Sequence, residues 1–291
     1  MKKVQGIIGV LLGLFSLYTA VFGVFADTIQ RGIHLLAVMI IIFLMGFNEK
    51  TDKGLKYKRI IDIIFTIAII VVLGNTIVNF EKMAINYGAL TRVELIMGII
   101  MILLLLEATR RMIGLPIVLI ASFFIVYMLF GQYFPGGLQH RGYNLARVVS
   151  HLYLGAQGIF GIPLGTSATL VISFIIFGAF LEKSGGSQFF MDLSIALTGK
   201  SRGGPAKAAV VSSGLMGTIS GTAAANVVTT GTFTIPLMKK TGYKDYVAGA
   251  IEAVASTGGQ IMPPVMGAAA FIMAELLGIP YKTIALGAVI P

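Results

Sequence analysis

The chain has 291 residues, of which 56% are hydrophobic and 12% are charged, and apolar runs of about 20 residues, enough to cross a bilayer, recur along it. This composition excludes a soluble globular domain and predicts an all-α, polytopic integral membrane protein. The net charge of +10 does not indicate nucleic-acid binding, because the basic residues lie in short connections between apolar runs, and the lack of cysteine excludes disulfides and cysteine-bound metals.

Hydropathy predicts six spans in the first part of the chain, followed by two irregular apolar segments. The first span follows Lys2 and Lys3 and is longer than the core of a signal peptide, so we interpret it as a retained anchor. The predicted spans are residues 4–25, 31–47, 60–79, 93–109, 113–134 and 157–181, and the irregular segments are residues 205–238 and 246–277.

The distribution of basic residues predicts the topology. Cytoplasmic loops are enriched in Lys and Arg. With a cytoplasmic N-terminus, and with residues 205–238 entering and leaving the membrane on one side, most of the 22 basic residues fall in cytoplasmic loops. A single crossing by residues 205–238 would weaken this bias. We therefore predict a re-entrant helical hairpin there.

Two segments are predicted to lie along the membrane surface. Residues 135–155 are too polar to span, but their apolar residues recur at helical spacing opposite Arg147 and His151, which indicates a surface arm helix. Residues 188–199 repeat this pattern on the inner side. The basic loop at 48–59 is interpreted as a solvated connection, with contact to anionic lipid heads as the alternative.

The first irregular segment contains the stretch GTISGTAAANVVTTG at 217–231. Its glycines allow close approach, and its hydroxyl and amide groups supply neutral oxygens. Two half-helices that meet at a tip leave carbonyls unpaired at one end and N–H groups unpaired at the other, so they can bind a cation and an anion. Neutral oxygens suit an exchangeable Na⁺ ion. Ser220 and Asn226, which flank the tip, are the functional candidates, whereas the alanines between them are ordinary packing residues.

The second irregular segment contains AVASTGGQIMPPVMGAAA at 253–270. The two adjacent prolines remove two backbone donors, so this segment is predicted to be two half-helices around an unwound middle. Two interrupted segments in succession indicate a binding site near the bilayer midplane. The candidate residues of the unwound middle are Ser256, Thr257, Gly258, Gly259 and Gln260.

Few ionisable residues fall within the predicted spans. Glu107 precedes two arginines at helical spacing, and Asp62 follows Lys58 and Arg59, so both acids are interpreted as structural. Glu252, which lies one turn before the second break, has no evident partner in the sequence. It is therefore a further functional candidate.

The two breaks resemble the large membrane subunit of the tripartite ATP-independent periplasmic (TRAP) transporters. The residues that carry this resemblance are SGTAAAN at 220–226, STGGQIMPP at 256–264 and LEKSGG at 181–186. GLPIVLIASFFIVYMLFG at 114–131 looks like the start of that subunit. The four spans before it resemble the small membrane subunit fused in frame, as in the branch that pairs with binding proteins of the TAXI type.

The resemblance implies a domain organisation and a function. Residues 1–112 would form a four-helix small-subunit-like domain, and residues 113–291 the first part of a large-subunit-like transport domain, truncated after its first half. The whole would be an elevator-type permease, not an enzyme, in a bacterial or archaeal cytoplasmic membrane. It would import an organic acid delivered by an extracytoplasmic binding protein, with Na⁺ as coupling ion and no other cofactor.

The resemblance also implies one half of a sodium and substrate site. By position, Ser220, Gly221, Thr222 and Asn226 match the tip of the family's first hairpin, and residues 256–259 match the facing unwound segment. The family tip often reads SGSS, whereas this one reads SGTA and has one hydroxyl fewer. The candidate Na⁺ ligands are Ser220, Asn226, Ser256 and Gly259.

Two other functions compete with this reading. An intramembrane serine protease would use Ser220, but it needs a general base within hydrogen-bond reach. The histidines, His34, His140 and His151, are all predicted on the outer side, whereas the hairpin is entered from inside. A channel would use the same neutral oxygens but requires a continuous conduction path.

Overall fold

The computed structural model describes residues 2–45, 55–85, 90–155 and 157–289, and within these ranges every regular element is a helix. The prediction of an all-α, polytopic membrane protein is confirmed. The chain forms two compact units, Met1–Ala168 and Thr169–Pro291.

The first unit begins with five long helices. Between the last two, Gly114 has a φ of +108° and lies immediately before a proline-containing first turn, a turn that suits proline because its missing N–H has no helical partner there. The helices are α1 (Lys2–Phe22), α2 (Asp27–Met45), α3 (Leu55–Ile85), α4 (Arg92–Met112) and α5 (Leu115–Phe130).

Five segments of the described chain are long and apolar enough to cross a membrane. The predicted span at 93–109 falls in α4, which has 21 residues but carries charged side chains near both ends. Glu94, which forms a capping box with Thr91, lies in the first turn, and Arg110 and Arg111 lie in the last turn. Its charges leave α4 outside that set of five. The five segments are Lys2–Phe22, Asp27–Met45, Lys58–Asn79, Leu115–Tyr133 and Ile162–Lys183.

The second half of the first unit contains the predicted surface arm. Short 3₁₀ turns form at Gly131–Tyr133 and Gly136–Leu138, and helix α6 spans Leu145–Leu154. Asn144 caps α6, because its side-chain oxygen accepts a hydrogen bond of 2.8 Å from the Arg147 N–H. The unit ends with the short helix α7 (Ile162–Thr166) and the start of a π-helical turn, Ser167–Val171.

The core of the first unit is apolar and built from α2, α3, α4 and α6. Gly98 allows α4 and α6 to approach closely, since a Cβ atom there would lie 2.4 Å from the Val149 side chain. By contrast, α5 is apolar on all sides and buries none of its residues within the described chain, as expected for a lipid-facing helix. The fully buried core residues include Met39, Phe43, Ile69, Leu73, Met101 and Tyr153.

An ion-pair cluster joins α3 and α4. Arg111 pairs with Asp62 at 2.6 Å and with Glu107 at 2.7 Å, and Glu107 also pairs with Arg110 at 2.8 Å. The predicted pairing of Glu107 is confirmed. The sequence suggested Lys58 and Arg59, which precede Asp62 on α3, as its neighbours. The packing of α3 against α4 instead gives Asp62 the Arg111 guanidinium as its partner.

The second unit consists of helices joined by short turns. Helix α8 continues from the π-helical turn, so the predicted span at 157–181 contains a break in its regular α-helix. The helices are α8 (Ile172–Lys183), α9 (Gly186–Thr198), α10 (Gly204–Ser220), α11 (Ala223–Lys240), α12 (Asp245–Gly258), α13 (Ala268–Leu277) and α14 (Tyr281–Gly287).

Helices α10, α11 and α12 pack against one another in the second unit. Their buried apolar cluster is small and contains Ala209, Met238 and Ala248. Most other buried positions along these helices are glycine, serine, threonine or another polar residue. The three helices are therefore held together mainly by close backbone approach and by polar contacts.

Candidate functional site

The tip of the hairpin is a two-residue turn between α10 and α11. Gly221 adopts a left-handed φ of +60°, and a Cβ atom there would lie 2.3 Å from the Met266 carbonyl oxygen, so glycine is required. Thr222 then takes an extended conformation and α11 begins at Ala223. The carbonyl end of α10 and the N–H end of α11 therefore meet at this turn.

The second break separates α12 from α13. Helix α12 ends at Gly258, a 3₁₀ turn spans Gly259–Ile261, and α13 begins only at Ala268. The Gly267 N–H donates a hydrogen bond of 2.7 Å to the Gln260 carbonyl, which closes the connection. Two half-helices around a non-helical middle, as predicted, are thus present in this segment.

Glycines bring the hairpin and the second break into direct contact. A Cβ atom on Gly217 would lie 2.3 Å from the Gly259 Cα, and one on Gly259 would lie 2.7 Å from the Asn226 amide nitrogen. Such distances leave no space for a side chain. The structure therefore brings together Asn226 of the hairpin tip and Gly259 of the facing segment, which the resemblance assigned to the same half of a site.

Two buried oxygens near the tip are unsatisfied. The Ser220 hydroxyl and the Asn226 side-chain carbonyl have no hydrogen-bond partner in the described part of the chain. The amide nitrogen of Asn226 donates a bond of 2.8 Å to the Ser213 carbonyl, which fixes the orientation of this side chain. Leaving such an oxygen unpaired costs about 1–3 kcal/mol, and a cation would compensate for that loss. Both residues are the ones predicted to flank the tip.

The other predicted site residues fall into two groups. Ser256 and Gly259 are buried, but the Ser256 hydroxyl is directed to Glu252 rather than to the tip. The remaining candidates are exposed, and the Thr257 hydroxyl donates to the Ala253 carbonyl of its own helix at 2.7 Å. These exposed residues are Thr222, Thr257, Gly258 and Gln260.

Glu252 is the centre of a buried hydroxyl cluster. Its side chain is fully buried, and Ser213 and Ser256 each donate to its Oε1 atom at 3.0 Å. Thr230 also donates to Oε1, and Thr234 donates to Oε2. The interpretation that Glu252 lacks a partner is therefore wrong, because hydroxyls from α10 and α11 converge on it.

One pattern in the sequence could have revealed this cluster. Asn226, Thr230 and Thr234 follow one another at intervals of four residues, which places three polar side chains on one face of α11. Buried polar side chains in a row along one face of a helix require a polar partner, and Glu252 is the partner of Thr230 and Thr234. Ser213 carried no comparable signal.

A family model matches this part of the chain. Residues 100–291 match the model described as "Tripartite ATP-independent periplasmic transporter, DctM component". The match includes both breaks and all of the residues around Glu252. No solved structure is significantly similar to the chain.

Curated relatives agree with this match. Over 110 residues the chain is 34% identical to the C4-dicarboxylate TRAP transporter large permease protein DctM of Vibrio cholerae. This aligned region covers 38% of this chain and 24% of that protein. Over 91 residues it is 35% identical to the isethionate TRAP transporter permease protein DctMQ of Oleidesulfovibrio alaskensis, covering 31% of this chain and 14% of that protein. The chain thus matches less than a quarter of the length of either relative.

Proposed function

The chain belongs to the DctM component family of the tripartite ATP-independent periplasmic transporters, and on that premise we propose that it is a permease part that imports an organic acid together with Na⁺. An extracytoplasmic binding protein would deliver the substrate. The permease would lie in a bacterial or archaeal cytoplasmic membrane with its N-terminus inside, and would move its substrate by an elevator mechanism. We also propose that residues 1–112 are a fused small-subunit domain.

The pair of unsatisfied oxygens at the hairpin tip carries the sodium part of this proposal. Ser220 and Asn226 each present a buried neutral oxygen without a partner among the described residues. A weakly held ion that must leave again in each transport cycle suits neutral oxygens better than a cage of carboxylates. These two residues would hold Na⁺ together with oxygens of Ser256 and Gly259. The bound ion would supply the coupling to the sodium gradient.

The substrate part of the proposal depends on the helix ends near the tip. The N-termini of α11 and α13 follow Thr222 and Gly267, and both expose backbone N–H groups that favour an anion. Neither break contains an arginine. A carboxylate would therefore bind helix N-termini and exposed hydroxyl or amide groups, such as those of Thr222, Thr257 and Gln260.

The test is uptake of a labelled organic-acid panel by the full-length gene product in proteoliposomes, with and without its binding protein, under an imposed Na⁺ gradient. We expect uptake to require both, and to be lost in Ser220→Ala and Asn226→Leu. Thr229→Val is the matched control, because Thr229 lies on the same helix but its hydroxyl donates within that helix, to the Ala225 carbonyl at 2.9 Å. Uptake that ignores Na⁺ would contradict the sodium role.

The same assay separates the competing functions. A channel would give single-channel currents and uptake that does not saturate. A serine protease would require Ser220 to contact a base, whereas its hydroxyl has no hydrogen-bond partner in the described chain. Proteolysis lost in Ser220→Ala, with uptake retained, would favour the protease over the transporter.

A further inference from the structure

Glu252 is a buried carboxylate without a counter-ion in the part of the chain that the structure describes. The charged residues of the three packed helices lie at their ends: Lys207 near the start of α10, Lys239 and Lys240 at the end of α11, and Asp245 at the start of α12. Lys239 is paired with Asp245 at 3.0 Å. None of these side chains forms an ion pair with Glu252, which is surrounded by hydroxyl groups.

Hydroxyl groups alone are a poor compensation for a buried negative charge. Removing a carboxylate from water is expensive unless an opposite charge is close. If Glu252 served only to join the helices, a glutamine could bond the same hydroxyls, accepting at its oxygen and donating from its nitrogen, with a smaller desolvation penalty. A carboxylate at this position is therefore consistent with a positive charge that binds close by and leaves again.

Ser213 lies between Glu252 and the side chain of Asn226 and bonds both of them. Ser213 donates its hydroxyl hydrogen to Glu252 at 3.0 Å, and its carbonyl accepts the Asn226 amide hydrogen at 2.8 Å. The side-chain oxygen of Asn226 lies on the other side of the same amide group, and it is buried and unpaired within the described residues. Ser213 therefore contacts both groups, Glu252 through its hydroxyl and the Asn226 amide through its backbone carbonyl.

The two serines at Glu252 are oriented in the same way. A serine hydroxyl has one hydrogen, and in Ser213 and Ser256 that hydrogen is given to the carboxylate. Their oxygens are left with lone pairs only, which can accept a hydrogen bond or bind a cation. A group that orients the ligands of a metal ion without binding it commonly changes the affinity for that ion.

We propose that Glu252 is a positioning residue for a monovalent cation bound at the hairpin tip. It accepts the hydroxyl hydrogens of Ser213 and Ser256, which leaves their oxygens with lone pairs that can bind the ion, and it balances the charge of the ion. This inference rests on the sodium role proposed above, and it adds a residue from α12 that carries the only formal charge of the described cluster. The bound cation then joins α10, α11 and α12 more tightly than they are joined without it.

Glu252→Gln tests the charge while it keeps the hydrogen bonds. The amide oxygen can accept from Ser213, Thr230 and Ser256. The amide nitrogen can donate to the Thr234 hydroxyl, which then donates to the Thr230 carbonyl at 3.0 Å. The variant is therefore expected to fold. Its melting temperature without Na⁺ is expected to equal or exceed that of the wild type.

The measurement is the Na⁺ dependence of the melting temperature of the full-length gene product in detergent, with choline chloride keeping the ionic strength constant. A direct ²²Na⁺ binding isotherm accompanies it. We expect Na⁺ to stabilise the wild type, and Glu252→Gln to weaken the apparent Na⁺ affinity by about tenfold or more. The control is Glu182→Gln, which removes an exposed acid from α8 and should leave Na⁺ affinity unchanged.

The outcomes separate the inference from the proposed function. If Na⁺ neither binds nor stabilises the wild type, the sodium role itself fails. If Na⁺ acts equally on the wild type and on Glu252→Gln, the sodium role stands but Glu252 is only structural. Should Glu252→Gln fail to fold, Ser213→Ala replaces it. That variant keeps the carboxylate and the backbone carbonyl that accepts from Asn226, but it removes a hydroxyl that Glu252 orients. Unchanged Na⁺ affinity there would overturn the positioning role.

Discussion

Among the residues that the structure describes, each unit buries one carboxylate, and the two carboxylates are stabilised in different ways. Asp62 in the first unit is 3% exposed and is held by the Arg111 guanidinium at 2.6 Å. Glu252 in the second unit is fully buried and is held by hydroxyls alone among the described residues. The first charge is neutralised permanently by the protein. The second has no such partner among the described residues, and on the inference above it is balanced by an ion that binds and leaves again.

The packing of the helices around the two acids also differs, because the first unit is held by large apolar side chains and the second by close backbone approach and hydrogen bonds. The core of the first unit is built from large side chains such as Met39, Phe43 and Ile69, and burial of such groups stabilises helix contacts without directional bonds. The helices of the second unit meet through Gly217 and Gly259 and through the Glu252 cluster. These contacts depend on exact register, so small changes should affect them strongly.

The largest effect is expected from Arg111→Met. This change leaves Asp62 buried without its partner, and removing one member of a buried ion pair costs about 3 kcal/mol or more. The measurement is the free energy of unfolding in mixed detergent micelles, followed by circular dichroism. Arg110→Met is the control, because Arg110 is half exposed and its pairing with Glu107 is expected to contribute less than about 1 kcal/mol.

A double variant sharpens this test. Asp62→Asn combined with Arg111→Met removes both charges, and we expect it to recover most of the lost stability, since the penalty arises from the unpaired acid. If Arg111→Met alone were as stable as the control, the ion pair would not neutralise Asp62, and the contrast with Glu252 would fail.

The next largest effect is expected from Gly217→Ala. The new methyl group would lie 2.3 Å from the Gly259 Cα and 2.4 Å from its carbonyl oxygen, so α10 and the second break must separate. Overpacking of this kind costs about 1–3 kcal/mol. Gly249→Ala is the matched control in α12, where a Cβ atom meets nothing within 4 Å in the described chain, and it should stabilise the helix by about 0.5–1 kcal/mol.

A loss of similar size is expected from Thr234→Val, which keeps the shape of the side chain but removes its hydroxyl. Thr234 donates to Oε2 of Glu252, and a hydrogen bond to a charged group contributes about 1.5–3 kcal/mol. Thr229→Val should change the free energy of unfolding by less than about 0.5 kcal/mol, because Thr229 is only partly buried and its hydroxyl bonds a carbonyl of its own helix. Equal stability of the two variants would mean that the hydroxyl cluster does not hold the helices.

Much of the architecture was readable in the sequence because it depends on local signals. Apolar runs and polar interruptions placed the spans, and the glycines and prolines placed both breaks. The partners of Asp62 and Glu252 could not be predicted in this way. They come from other helices, and which side chain of α4 meets Asp62, or which hydroxyl of α10 meets Glu252, depends on the packing register of helices.

The smallest predicted effect concerns the arm in the first unit, where a directional polar contact supports a helix that also packs on an apolar core. Asn144→Ala removes the acceptor for the Arg147 N–H and should lower the free energy of unfolding by about 1 kcal/mol, the usual value for an N-cap. Asn144→Asp, which keeps the acceptor, should retain it. A loss in Asn144→Ala as large as that in Gly217→Ala would mean that the first unit depends on single polar contacts as much as the second does.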